Sequence, residues 1–193
     1  MLDSFDISNI SQNSSKQLDI SPFIQKKTPK EKIIEKKEKP KRIITQNDEF
    51  ISLQKDLSFD RQFRVLNEVM TEYNYNDVYH RLFISQIRAK IYGYSYQDEV
   101  KNKLAKEYFI DLSNVLQKLK NCKMECYYCA KKVKIIYEYV RDDDQWTLER
   151  IDNKKGHNTE NVEIACLSCN LRRRTMYHER YIFTKQMTIV KKG

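Results

Sequence analysis

The chain has 193 residues, enough for one or two small domains. Its 36 Lys and Arg outnumber 27 Asp and Glu for a formal net charge of +9, a balance that favours polyanionic partners, nucleic acid first among them. No apolar run is long enough to span a bilayer, and the start, MLDSFDISNI, lacks the basic lead and apolar centre of a secretory signal. The expectation is an intracellular, reducing setting with no membrane contact.

Residues 1–47 read as a flexible basic tail. All three prolines, Pro22, Pro29 and Pro40, lie there among Ser, Asn, Gln and Lys. Such a composition buries too little apolar surface to offset its ordering entropy. Within it, QKKTPKEKIIEKKEKPKR (25–42) holds eight Lys and one Arg against three Glu. That run is either an electrostatic arm for nucleic acid, a nuclear address, or a solvated linker.

Residues 48–118 read as a helical region. Phe63, Leu66, Met70 and Tyr73 recur at helical spacing, as do Val78, Leu82, Ile87 and Ile91. Gly93 stands where a helix would end, and Ser95 with Asp98 suits the start of the next. Asp111 suits a further cap before Leu112, Val115, Leu116 and Leu119. A protein partner for this region is one option.

Residues 119–193 change texture. VKIIYEYV (133–140) is rich in β-branched and aromatic residues and reads as a strand, followed by a turn at RDDDQ. QWTLERI (145–151) alternates. A polar loop, DNKKGHNTE, leads to a short strand, VEIA, and a helix from Leu167 to about His178. YIFTKQMTIV (181–190) reads as extended. The expected class is α+β, a helical part followed by a small metal-stapled domain.

All five cysteines lie between Cys122 and Cys169. In a reducing compartment clustered cysteines indicate metal before disulfide. Cys126 with Cys129 and Cys166 with Cys169 form two Cys-x-x-Cys pairs. Two such knuckles supply four thiolates, the ligand set of a closed, structural, tetrahedral Zn²⁺ site. Cys122 is left unassigned.

The stretch LERIDNKKGHNTENVEIACLSCN (148–170) resembles the HNH, or His-Me finger, endonucleases. It is most similar to their LDRIDN variants of bacteriophages and large DNA viruses. The order of knuckle, hairpin and second Cys pair opening a helix is similar to a treble-clef, or ββα-metal, fold. The resemblance spans about residues 119–178. It implies that Glu149 stands at the position of a cation ligand and Arg150 at that of the general base. It further implies that Asn161 matches the residue that orients the base, and Asn170 the last ligand of a catalytic Mg²⁺ or Mn²⁺.

Arginine stays protonated at physiological pH, so Arg150 cannot accept a proton from water. It could grip a phosphate instead. His157 in the connecting loop is then the first alternative base and Asp152 the second. Lys154, Lys155, Arg172, Arg173 and Arg174 flank the motif and suit phosphate contact, although three consecutive arginines on a helix cannot share one face. The expected function is that of an HNH-like, DNA-binding, divalent-metal-dependent endonuclease that hydrolyses phosphodiester bonds. The alternative is a catalytically degenerate nucleic-acid-binding module, a viral transcription or packaging accessory, and a further rival is a protein-interaction module.

Overall fold

A computed structural model describes residues 39–71 and 77–186. Most of the expected tail, Tyr73 and the residues beyond 186 lie outside that range. The described residues belong to one unit, Glu38–Gly193.

Among the described residues, four α-helices come before the sheet. α1 (Asp48–Leu53) starts at Asn47, whose side chain accepts from Glu49 N at 2.9 Å. α2 (Phe59–Met70) starts at Ser58 and α3 (Val78–Val100) at Asp77, each cap accepting a backbone N–H of the first turn. α4 (Leu112–Asn121) starts at Asp111, as its sequence indicated, with Asn114 N donating at 2.7 Å. β1 (Trp146–Arg150) and β2 (Val162–Cys166) then form a two-stranded antiparallel sheet that pairs Trp146 with Cys166 and Arg150 with Val162. α5 (Leu167–Arg173) and α6 (His178–Gln186) follow. The mixture of helices and a small sheet is α+β.

One core joins the two halves. Phe50, Leu66, Phe83 and Val115 belong to the same buried cluster as Trp146, Leu148, Ile164 and Cys126. The boundary expected near 118 therefore runs through a shared core rather than between two cores. Residues 39–47 are also tied down. Arg42 donates to Gln86 Oε1 at 2.7 Å and to Tyr137 O at 3.1 Å, and Thr45 is buried.

Three elements differ from their sequence patterns, each through a tertiary contact. α3 does not stop at Gly93 but runs on to Val100. Its last turns are anchored: Leu148 N donates to Tyr94 Oη at 3.1 Å, and Asp98 is fully buried. Those contacts outweigh the roughly 1 kcal/mol cost of a helical glycine. VKIIYEYV forms no continuous strand: it bends at Ile135 and Ile136, where Gln62 pairs with the backbone, and meets its neighbours through isolated bridges at Lys134 and Tyr139. Gln62 Oε1 accepts from Ile135 N at 2.8 Å and Ile136 N at 2.9 Å, and its amide donates to Ile136 O at 3.1 Å. Of YIFTKQMTIV, the described part is helix α6 rather than strand. Tyr181 packs edge-on against Tyr128, while Glu179 in the first turn and Lys185 in the last suit the helix dipole. No described helix is long and apolar enough to cross a membrane.

Candidate functional site

The four paired cysteines converge. Sγ atoms of Cys126, Cys129, Cys166 and Cys169 all lie within 4.8 Å of one another and could hold a metal ion. Backbone bonds set both knuckles. Tyr127 N donates to Ile164 O at 2.8 Å, which ties the first knuckle to β2. Ala130, at φ 55°, closes the turn by donating to Cys126 O at 2.9 Å. The second pair straddles the start of α5, where Cys169 N donates to Cys166 Sγ at 3.4 Å. Cys122 stands apart from this group. Tyr128 is buried beside the knuckle, with its hydroxyl 3.0 Å from His178 Nδ1. It is packing for the cysteine group rather than a surface for bases, whereas Tyr127 and Tyr177 are exposed.

A cleft of about 360 Å³ lies beside the motif. Tyr94 and Gln97 of α3 form one wall. Glu149 and Arg150 at the end of β1 form the floor, and Asn153 and His157 line the loop side. Asn170 and Arg174 close it from α5. The sequence motif is thus brought together in space with the last turns of α3, a segment outside the resemblance.

Glu149, the expected cation ligand, is paired inside the protein. The strand places Glu149 and Thr147 toward α5, where Arg173 meets the Glu149 carboxylate directly. Arg173 also donates to Arg150 O and Ile151 O, each at 2.7 Å. Both side chains are almost fully buried. Burial pushes the Glu149 carboxyl up to about 7, although Arg173 beside it pulls the other way. Arg173 is correspondingly not a phosphate ligand; it is the internal partner of Glu149. Among the described residues lining the cleft, Glu149 is the sole carboxylate. A hard divalent cation needs several oxygen ligands, usually with carboxylate among them. With Glu149 engaged and two arginines alongside, the residues do not fit the expected Mg²⁺ or Mn²⁺ held by Glu149 and Asn170. Asn170 itself lines the cleft and donates to Thr147 Oγ1 at 3.2 Å.

His157 is held from behind. Asp98 Oδ1 lies 2.9 Å from His157 Nδ1, and Asp98 Oδ2 accepts from His157 N at 2.5 Å. A carboxylate can only accept, so Nδ1 carries the proton and Nε2 is the acceptor nitrogen. The ring lies against Tyr94 with centroids 4.4 Å apart and planes tilted by 36°. Burial pushes the imidazole down to about 4, against the pull of Asp98, so it is neutral at pH 7. Gly156 permits this approach: a Cβ there would meet Lys103 O at 2.4 Å and Asp98 Oδ2 at 2.7 Å. Arg150 also reaches Asp98, at 4.0 Å.

Asn161 is buried and pins the loop. Its side chain accepts from Asp152 N at 2.9 Å and donates to Asp152 O and Gly156 O at 3.0 and 2.8 Å. It therefore ties down the loop segment that leads to His157. Asp152 is not among the residues lining the cleft, and its carboxylate accepts from Lys154 N at 2.8 Å, a turn contact rather than a base facing substrate. Lys154, Lys155, Arg172 and Arg174 are exposed, and Arg174 alone of these lines the cleft.

Sequence reasoning missed Asp98, Tyr94, Gln97 and Asn153. Asp98 carried a signal of the wrong kind, since it also fits a helix-capping pattern. No known family model matches the chain, and neither a curated protein nor a solved structure does.

Proposed function

We propose that the chain is a nucleic-acid-binding module of HNH-like, treble-clef build that grips phosphodiester backbone without cutting it. The single observation that carries this is the burial of Glu149 against Arg173. That pair removes the one carboxylate of the cleft from duty and leaves Arg150 and Arg174 as its cationic lining. A planar guanidinium suits phosphate oxygens, and Asn153 and Asn170 add neutral polar partners. Lys154, Lys155 and Arg172 are exposed and close in sequence to the cleft residues Asn153 and Leu171. The four cysteines would hold Zn²⁺ in a structural role, because four soft ligands leave no open position, and the treble-clef build is proposed from the order of knuckle, hairpin and helix.

Binding of a labelled duplex across a range of KCl concentrations tests the reading. Each phosphate contact contributes a slope of roughly 0.9 in log K against log salt. Replacing both arginines, Arg150→Gln with Arg174→Gln, should flatten the slope by roughly 1.8. An unchanged slope would remove phosphate from the cleft.

A second reading is favoured by the Asp98–His157 pair, which borders the cleft with a neutral ring. In that reading the protein is an endonuclease. Water attacks phosphorus as His157 Nε2 takes its proton, the P–O bond to the leaving ester oxygen breaks, and that oxygen takes the proton back from the imidazolium; Asp98 steadies the imidazolium, and Arg150 and Arg174 stabilise charge on the phosphate. The His157→Ala variant separates the two readings, because it would abolish cleavage and leave backbone binding intact.

A further inference from the structure

The outward face of α3 is not explained by the fold. The helix buries Phe83, Ile87 and Asp98 on one side, yet on the other it exposes Tyr92 and Tyr96 at 76% and 63%. These two residues are one turn apart and so are surface neighbours. Between them and the cleft lies Gly93, adjacent on the helix surface to both Tyr96 and the cleft residue Gln97. A Cβ at Gly93 would meet nothing within 4 Å. Packing does not demand a glycine there, and glycine in a helix interior is destabilising relative to alanine. What Gly93 supplies is a smooth ledge running from the cleft rim to two aromatic rings.

We propose that this ledge stacks the bases of a single-stranded nucleic acid whose backbone continues into the Arg150 and Arg174 cleft. The inference rests on the phosphate-binding reading of that cleft and adds the form of nucleic acid. Base faces in a duplex are covered by their neighbours, so exposed tyrosine rings beside a phosphate cleft suit unstacked bases. The charge around this face is net positive, with Glu99 the exposed carboxylate one turn past Tyr96. Arg88 is exposed one turn before Tyr92, and Lys101 is exposed one turn past Gln97. Tyrosine stacking tolerates any base, so the track selects strandedness rather than sequence. A packed protein partner would need a broader apolar patch; Val100 is the exposed aliphatic residue at this end of the helix.

The test is fluorescence anisotropy with labelled oligo-dT, oligo-U and a duplex of equal length. The proteins compared are wild type, the double variant Tyr92→Ala with Tyr96→Ala, and Gly93→Leu. Wild type should prefer the single strands, and the dT and U arms tell whether the sugar matters. Each lost ring should weaken single-strand binding by about tenfold, with duplex binding unchanged. Gly93→Leu should leave the melting temperature unchanged or higher and still weaken single-strand binding. Single-strand affinity untouched in both variants would overturn the ledge while leaving the cleft reading in place. The same holds if the tyrosine variant only dissolves a self-associated form of the protein. Failure of wild type to bind any of the three probes would overturn both.

Discussion

Replacing Arg173 by methionine keeps the aliphatic stem and removes the guanidinium that meets Glu149 and two backbone carbonyls. Glu149 is 4% exposed and Arg173 2%, so water cannot take over. Removing one partner of a buried pair costs about 3–5 kcal/mol. The cost should also depend on pH in a defined way. In the wild type the Glu149 carboxyl is raised from 4.5 to about 7 by burial. A carboxyl raised in the folded state gives full stability below its unfolded value and loses it as pH climbs to the folded value. Wild type therefore loses this contribution between about pH 4.5 and pH 7 and then levels off. Without Arg173 the folded value moves higher still, and the variant continues to lose about 1.4 kcal/mol per pH unit above neutrality. Its deficit against wild type should widen by about 2 kcal/mol between about pH 7 and pH 8.5. Urea unfolding read by fluorescence of Trp146, the sole tryptophan and fully buried, measures this directly. Adding Glu149→Leu to the variant should remove the pH dependence. A deficit below about 1 kcal/mol, or one that stays flat with pH, would refute the assignment of Arg173 as the partner of a buried carboxylate.

Gln62→Leu strips partners from Ile135 N, Ile136 N and Ile136 O, and at about 1–3 kcal/mol per buried orphan it should destabilise by about 3 kcal/mol or more in urea melts. A loss below about 1 kcal/mol would mean that another group pairs that segment. Elemental analysis of native protein should find one Zn²⁺ per chain, and finding none would end the structural-zinc proposal. Because the cysteine cluster and the helices share a core, chelating the metal should unfold both in one transition, and a melt in two steps would contradict that coupling.

Local signals were legible where local physics decides. The two Cys-x-x-Cys pairs announced the convergence of four cysteines that could hold a metal ion, Asp111 announced the start of α4, and the alternation around Trp146 announced β1. The signals failed where a distant side chain intervened. No pattern in VKIIYEYV could reveal that Gln62, more than 70 positions earlier, would take its hydrogen bonds. Gly93 and Ser95 form a credible helix break, and only the docking of Tyr94 and Asp98 onto the hairpin overrides it. The site was half legible for the same reason. The resemblance placed Arg150, Asn161 and Asn170 in one motif, with His157 in its loop, but it could not tell that Arg173 points inward to Glu149 while Arg174 turns to the cleft. Three adjacent arginines are alike in sequence, and burial alone sorts them.

The measurement that bears most directly on the central claim is a single gel series with supercoiled plasmid under Mg²⁺ and under Mn²⁺. The same reactions are also run under binding conditions without denaturant. Retarded plasmid that remains supercoiled after deproteinisation is the expected result, with retardation lost in the Arg150→Gln, Arg174→Gln double variant. Nicked circles that accumulate with wild type and vanish with His157→Ala would contradict it, and would make the protein an endonuclease with His157 as its base.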